Sequence, residues 1–311
     1  MLQKWLESTF IVFQVSNALE LQNSVKPIKQ TTLYYVPKSS ELVIRAHYHT
    51  VDGTGMDLLC YSFLNALAYP KKGITFGNEP SRLPPIMDEV LGYTLSSKKM
   101  KEKGQDLFWN HHVSNQPAIG PVSKLGAAPS GRFQNAEVVF STKITALLVQ
   151  VPQSRYTAME NFNLRPYLSK PYNSSKYAAA VYYAPHPNTM KLPATYRDIA
   201  ASLSKYYKTR RPWKSPAISS VVCVILSCPP NLFTTPVPKV APVSSLGVVE
   251  DFIHRECENG LKVKDFKFGA DVVLGMFMIF IYIFQEQLRL IYRFNDGFED
   301  PENTHMYLKK I

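Results

Sequence analysis

Apolar positions near the start of the chain predict a β-hairpin followed by a helix. The runs 31–36 and 41–49 are rich in β-branched and aromatic residues, and the turn sequence PKSS separates them. Apolar residues then recur at helical spacing at Met56, Leu59, Phe63, Leu64 and Leu67. We therefore expect the segment RAHYHTVDGTG at the end of the second strand and in the connection to the helix.

The rest of the chain mixes both periodicities. Residues 70–132 are rich in Pro, Gly, Ser and Asn, which predicts a long irregular connection with one short helix in PPIMDEVLG. Farther on we expect strands at 136–141, 175–184, 218–227 and in EQLRLIYRFN. We expect helices from 142, over 194–211, in GVVEDFIHRECENG and in DPENTHMYLKKI, with Asp300 as N-cap of the last. This mixture predicts an α/β protein rather than a bundle or a sandwich.

The apolar segment ADVVLGMFMIFIYIFQ, residues 270–285, resembles a membrane span. Its uncharged stretch from Val272 to Phe284 is shorter than the roughly 20 residues that a bilayer requires. We therefore expect a buried strand or strand pair and no membrane span. The start MLQKWLESTFIVFQ lacks the features of a signal peptide in their usual order, so a cytoplasmic protein is expected.

Composition and charge exclude several classes of protein. The 311 residues are 45% hydrophobic and 19% charged, which is typical of a folded chain of one large or two ordinary domains. The net charge of +11 is densest at 96–104 and 205–214. No zinc-finger, helix-turn-helix or RNA-binding motif accompanies these patches, so we expect a solvated basic face and no nucleic-acid partner.

Cysteine and histidine spacing predicts neither a disulfide framework nor a metal site. Cys60, Cys223, Cys228 and Cys257 are few and scattered, so we expect reduced thiols. The neighbouring His111 and His112 have no further ligands at metal-binding spacing.

The pair of histidines ahead of an Asp-Gly dipeptide is the candidate for chemistry. A histidine here can act as general base on an alcohol or amine, while the aspartate fixes the loop by pairing with an arginine. His47 lies five residues before Asp52 and His49 lies three before it, and Tyr48 holds the intermediate spacing. Such a string also occurs in surface turns, so from these residues alone both readings stay open.

The string HYHTVDG followed by GMDLLCYSFLN resembles the fungal CoA-dependent acyltransferases of secondary metabolism, of the trichothecene 15-O-acetyltransferase type. That group is related to the plant BAHD acyltransferases and to the condensation domains of peptide synthetases. Stretches similar to the same group lie along the chain in the family's order: WLESTFIV, RLPPIMDEV, YTAMENFNLRPYLSKPYNSS, PVSSLGVVEDFI and LRLIYRFNDGFEDPENTHMYL.

The resemblance implies a chloramphenicol-acetyltransferase-like α/β fold. Two lobes, each a mixed β-sheet flanked by helices, would meet at a tunnel with the active site at their interface. We expect the lobe with the histidine motif to comprise residues 1–135, and the second lobe to comprise residues 136–311.

The resemblance also implies an O-acetyltransferase that moves the acetyl group of acetyl-CoA to a hydroxyl of a terpenoid or polyketide-type metabolite. The family has its base four residues before the aspartate, where this chain has Tyr48. His49 is therefore the first candidate for the base and His47 the second. Acetyl-CoA is expected as a co-substrate with no permanently bound cofactor, and no residues are predicted to bind it.

Three further residues have implied structural roles at the site. Asp52 would hold the loop, Gly53 would permit the turn, and Arg165 of NLRP would be the partner of Asp52. A surface or structural role for Arg165 remains equally open.

Two other functions remain open. A non-catalytic relative, serving as a binding protein or as a truncated paralogue, is one, because the chain is shorter than the family and its DFKFG at 265–269 only loosely resembles the Asp-Phe-Gly-Trp-Gly motif of the plant enzymes. A condensation-type enzyme is the other and is less favoured, because no carrier or adenylation module is attached. The resemblance implies a monomer.

Overall fold

A computed structural model describes the greater part of both sheets and the histidine segment. The described residues are 2–25, 27–70, 77, 79–90, 98, 102, 132–140, 155–191, 198, 201, 205, 243–257, 260–271 and 278–308. The described helices are α1 (Leu2–Thr9), α2 (Ala18–Ser24), α3 (Gly53–Ala68), α4 (Met87–Val90) and α5 (Pro301–Leu308). Short 3₁₀ turns occur at Glu79–Arg82, Arg165–Tyr167, Ser175–Tyr177 and Val249–Asp251.

Nine strands lie within the described residues and form two sheets. They are β1 (Phe10–Val12), β2 (Thr32–Val36), β3 (Glu41–Arg45), β4 (Phe133–Phe140), β5 (Arg155–Asn163), β6 (Tyr183–Lys191), β7 (Val243–Val248), β8 (Met278–Phe284) and β9 (Gln287–Asn295). Mixed sheets with helices confirm the predicted α/β class.

The chain divides into two compact units that are not continuous in sequence. The first comprises residues 1–86, 169–181 and 252–261, and the second comprises 87–168, 182–251 and 262–311. The division into lobes 1–135 and 136–311 stays a prediction about the organisation of the family fold.

The first unit contains a three-stranded sheet of order β1-β2-β3. β1 pairs parallel with β2, and β2 pairs antiparallel with β3, with Val36 opposite Glu41 next to the turn. One face of the sheet carries a small apolar core of Val15, Leu21, Tyr34 and Val36. This core holds the hairpin from which the histidine segment leaves.

The second unit contains a six-stranded mixed sheet of order β4-β9-β8-β7-β5-β6. β8 and β9 form a hairpin through Gln285 and Glu286, whose positive φ angles of 54° and 60° are those of a two-residue type I′ turn. β7 pairs parallel with both β8 and β5. On one face of the sheet an apolar cluster forms around Ala136, Tyr292 and Phe294, and His305 of α5 packs edge-on against Phe294.

The segment that holds DFKFG, residues 262–271, lies along the other face of β4, β9 and β8. Phe266 packs against Tyr282, and Phe268 packs against Phe280. The carboxylate of Asp265 accepts a hydrogen bond from Nη1 of Arg289 at 2.5 Å.

Several predicted elements are confirmed. The hairpin, the helix after it, the short helix in PPIMDEVLG, the strand at 136–141 and the strand EQLRLIYRFN are all present. Asp300 caps α5, since its Oδ1 accepts the N–H groups of Glu302 and Asn303. The apolar run 270–285 provides the predicted strand at Met278–Phe284.

Three predicted elements differ. Residues 175–184 form a 3₁₀ turn and irregular chain, and the strand begins only at Tyr183, because backbone bonds such as Tyr177 N to Ser174 O close local turns. In GVVEDFIHRECENG the described residues, 247–257 and 260, do not form the predicted helix: the first two belong to β7, and a 3₁₀ turn at Val249–Asp251 follows. The strand before the histidines ends at Arg45 rather than continuing to residue 49.

Other predictions fall on residues outside those described. The predicted strand 218–227, the helix from 142, His111, His112 and Cys223 with Cys228 belong to this group. Of the predicted helix 194–211, residues 198, 201 and 205 are described and are helical. Within the described ranges, no helix combines the length and apolar character needed to cross a membrane.

Candidate active site

The segment between β3 and α3 folds as a hydrogen-bonded turn. The backbone N–H of Thr50 donates to the carbonyl oxygen of His47 at 2.9 Å, and the hydroxyl of Thr50 donates to the same oxygen at 2.7 Å. Val51 is buried directly after the turn. The two histidines therefore lie in or next to a short turn that is followed by the buried Val51, and not in a continuation of β3.

The imidazole of His47 is oriented by the main chain. Its Nε2 lies 2.7 Å from the carbonyl oxygen of Ile28. A carbonyl oxygen can only accept, so Nε2 carries the proton in this contact. In the neutral ring, Nδ1 is then the unprotonated nitrogen and the one able to take a proton from another molecule.

His49 is exposed and stacks on His47. The ring centroids are 5.0 Å apart with an interplanar angle of 26°. Tyr48, between them in sequence, is also exposed. The structure thus brings the two predicted histidines together and makes them differ in burial and in hydrogen bonding.

Asp52 holds the start of α3. Its side chain is buried, and Oδ1 accepts the backbone N–H of Gly55 at 2.7 Å, which is an N-cap bond. The backbone N–H of Asp52 donates to the carbonyl oxygen of Ala180 at 3.2 Å, which ties the turn to the segment 169–181. Gly53 is the first residue of the helix, and its backbone is helical.

Asp57 is a second carboxyl group in the same helix and is fully buried. Neither of its side-chain oxygens has a hydrogen-bond partner in the part of the chain that the structure describes. Burial, together with the smaller effect of the charge of Asp52, raises the pKa of Asp57 to about 8. The group is therefore a neutral acid at pH 7.

Cys60 lies one turn after Asp57 and is a free thiol. Burial, together with the smaller effect of the neighbouring Asp57, raises the pKa of the Cys60 thiol to about 12. A thiol in this state is not a nucleophile at neutral pH. Cys257 is also free, in line with the predicted reduced cysteines.

Arg165 is buried in the 3₁₀ turn that follows β5. Its backbone N–H donates to Oδ1 of Asn163 at 3.0 Å, and its guanidinium carbon lies 5.3 Å from the centre of the Tyr182 ring. Arg165 is therefore not a surface residue. Its pairing with Asp52 stays a prediction.

Sequence reasoning found the histidine turn but missed Asp57. The signal was available, because Asp57 lies three residues before Cys60 and seven before Leu64, at the spacing of the apolar positions of α3. Among the described residues no group of three or more His, Cys, Asp and Glu side chains is arranged to hold a metal ion.

Comparison with known proteins shows what the chain resembles. No protein-family model matches it. It is 26% identical to the O-acetyltransferase pigM of Monascus ruber over 348 residues, which covers 99% of this chain and 68% of that protein. It is 24% identical to the acetyltransferase pigO of the same fungus, with 63% of this chain and 50% of that protein covered.

The chain therefore spans about two thirds of the first relative and half of the second. The alignment to the first relative is longer than this chain, so that relative has internal residues where this chain has none.

A solved structure shows the fold. The chain resembles the TRI3 trichothecene 15-O-acetyltransferase from Fusarium sporotrichioides with a TM-score of 0.72 and 14% identity, over 99% of this chain and 76% of that one. The expected acyltransferase fold is thus confirmed. The resemblance to acyltransferases of fungal secondary metabolism that the sequence motifs predict is confirmed as well.

Proposed function

We propose that this chain, a relative of the O-acetyltransferases of fungal secondary metabolism, itself transfers an acetyl group from acetyl-CoA to a hydroxyl group of a small molecule. The observation that carries the proposal is the histidine turn that leads directly into Asp52, the N-cap of α3, in a chain that aligns over 99% of its length with an O-acetyltransferase. The terpenoid or polyketide class of the acceptor is part of the proposal and follows from the relatives' secondary metabolism.

We assign the general base to the histidine pair and, within it, to His47. The hydrogen bond to Ile28 fixes the ring and leaves Nδ1 as the basic nitrogen. A base held in one tautomer loses less entropy on reaction than a mobile one. His49, the first candidate from the sequence, stacks on His47 and is open to an incoming molecule.

The proposed reaction balances in three steps. Nδ1 of the base takes the proton of the acceptor hydroxyl as its oxygen attacks the carbonyl carbon of the acetyl thioester. The new carbon–oxygen bond gives a tetrahedral intermediate, and the carbon–sulfur bond then breaks. The leaving thiolate receives the proton from the imidazolium, which returns the histidine to its neutral form and releases free CoA.

Asp52 acts as a positioning residue in this proposal. It caps α3 and ties the turn to Ala180, so it sets where the histidines stand. Gly53 starts the helix directly after it, and Arg165 provides the buried positive charge proposed to pair with Asp52. None of these three residues handles the transferred proton.

A non-catalytic relative is the competing function. It is favoured by Tyr48 at the family's base position and by the internal residues that the first relative has and this chain lacks. In either case we propose a monomeric cytoplasmic protein with no nucleic-acid partner.

One experiment separates the two functions. The purified chain is mixed with acetyl-CoA and a panel of hydroxylated terpenoids and polyketides, and free thiol and acetylated product are measured together. Stoichiometric thiol and ester that disappear in the double variant His47→Ala/His49→Ala support the transferase. Acetyl-CoA binding without any product, equal in the wild type and the double variant, supports the binding protein.

A further inference from the structure

A buried guanidinium on β9 lies outside the machinery proposed above. Arg293 and Arg289 project from the same side of the strand, because alternate strand residues share a face. Asp265 binds Nη1 of Arg289, whereas Nε and Nη1 of Arg293 are both buried and have no hydrogen-bond partner among the described residues. Burial accordingly lowers the pKa of Arg293, and the charge of Asp271 opposes that shift.

A second buried polar group lies on the same face of the sheet. Asn135 on β4 is directly opposite Arg293 in the register of β4 and β9, and within the described part of the chain its buried Oδ1 has no hydrogen-bond partner. The Cβ atoms of directly opposite residues lie about 4.5–5.5 Å apart, so the amide and the guanidinium are neighbours. An amide can present either its oxygen or its NH₂ group there, because the two ends differ only by a rotation.

The backbone of Gly269 lies close to the guanidinium of Arg293. A Cβ built on Gly269 would lie 2.3 Å from Nε and 2.3 Å from Nη2 of Arg293. The glycine of DFKFG therefore lets the chain pass directly against the guanidinium. A side chain at this position would displace it.

We propose that Arg293 and Asn135, with the backbone at Gly269 behind them, form a binding site for an oxyanion, a phosphate or carboxylate group of a ligand. A buried guanidinium with unused N–H donors is stabilised by an acceptor that carries negative charge. Asn135 adds an amide donor beside it, and Asp265 and Glu137 are already engaged by Arg289 and Lys267.

Two ligands of the proposed reaction carry such groups, so the choice between them rests on the proposed function. The nucleotide part of acetyl-CoA carries phosphates, and an acceptor metabolite can carry a carboxylate. The anion site itself does not depend on acetyl transfer and can be tested with inorganic phosphate alone.

Binding is tested by the rise in melting temperature with inorganic phosphate at constant ionic strength. We expect the wild type to be stabilised in a saturable way and Arg293→Gln to bind phosphate at least about tenfold more weakly. Gly269→Ala keeps the charge but moves the guanidinium, and it should weaken phosphate binding as well. Lys264→Gln, which removes an exposed cation on the same segment, is the matched control and should bind as the wild type does.

Kinetics then identifies the source of the anion. Acetyl-pantetheine carries the thioester without the nucleotide phosphates. A loss of about tenfold or more in kcat/KM for acetyl-CoA in Arg293→Gln, with no loss for acetyl-pantetheine, assigns the site to the co-substrate. An equal loss with both donors, confined to acceptors that carry a carboxylate, assigns it to the acceptor.

The outcomes for the two proposals are distinguishable. Phosphate binding that depends on Arg293 in a protein without acetyl transfer supports the anion site and contradicts the transferase. The inference is overturned if phosphate stabilises the wild type, Arg293→Gln, Gly269→Ala and Lys264→Gln equally, or stabilises none of them, whether or not acetyl transfer occurs. If Arg293→Gln does not fold, Gly269→Ala against Lys264→Gln decides the question in the same assay.

Discussion

His47 donates its Nε2 proton to the carbonyl oxygen of Ile28 while its ring stacks on that of His49, 5.0 Å away. The contact with Ile28 reaches from the histidine turn to the loop ahead of β2, nineteen residues earlier. One histidine of the pair is thus fixed by the main chain, and the other is held by the first.

This relationship predicts unequal effects of the two histidines on catalysis. His47→Ala should lower kcat/KM by about 10²–10⁴, the usual contribution of a general base. His49→Ala should cost about tenfold or less, because it removes only a stacking neighbour. Steady-state thiol release with acetyl-CoA measures both, and Tyr48→Phe is the control at the intervening position. The reverse order of effects would assign the base to His49.

Asp52 should contribute to stability through its cap. Asp52→Ala removes the acceptor for the N–H of Gly55 and should lower the free energy of unfolding by about 0.5–2 kcal/mol. Asp52→Asn keeps an acceptor oxygen and should lower the free energy of unfolding by less than about 1 kcal/mol. Urea unfolding of the two variants and the wild type gives the comparison. Equal losses in both variants would show that the charge of Asp52, not its cap, matters.

Asp57 should make the protein less stable as pH rises. Its pKa is about 8 in the folded state and 3.8 as the ordinary value, so between these limits the folded state holds a proton that the unfolded state has released. The free energy of unfolding then falls with pH from about 4 to about 8, by up to roughly 1.4 kcal/mol per pH unit, and Asp57 adds no further slope above pH 8.

The control for this slope is Asp57→Asn, which has a similar shape and does not titrate. Urea unfolding at pH 5.5 and pH 8 should show a smaller difference in the variant than in the wild type. Identical pH profiles for the two proteins would contradict a raised pKa of Asp57 in the folded state.

Asp265 should contribute more to the free energy of unfolding than its exposed position suggests. Asp265→Asn replaces the charged acceptor of the Arg289 guanidinium by a neutral one, while the carboxylate of Glu137 stays 3.9 Å away, and should lower the free energy of unfolding by about 1–1.5 kcal/mol. Lys267→Gln breaks the exposed pair with Glu137 and should change it by about 1 kcal/mol or less. Thermal unfolding of both variants tests the contrast, and a similar effect of the two would contradict it.

The parts of the fold that the sequence predicts are those set by local chemistry. The hairpin around PKSS, the cap at Asp300 and the strand 287–295 follow from turn residues, a cap residue and an uninterrupted apolar pattern. Residues 175–184 look like a strand by composition, but a run of local backbone bonds fixes turns there instead. Such competition between local and sheet bonding is not encoded in hydrophobic periodicity.

The candidate site was predicted in its residues and not in its geometry. Spacing identified His47, His49 and Asp52. It could not show that the carbonyl oxygen of Ile28 orients His47, because that contact joins distant parts of the chain. Asp57 and Arg293 were missed for a related reason, since their significance depends on burial and on the absence of partners for particular atoms.

The first compact unit is assembled from three separate stretches, the last of which ends at residue 261. A nascent chain that has been synthesised only as far as the histidine turn therefore lacks the segment 169–181. That segment includes the carbonyl oxygen of Ala180, which accepts the backbone N–H of Asp52. Contacts between stretches that are so distant in sequence slow folding. Until they form, the partly folded chain keeps surface exposed that the folded unit buries. Synthesis of the chain must pass well beyond its middle before the surroundings of the two histidines can close.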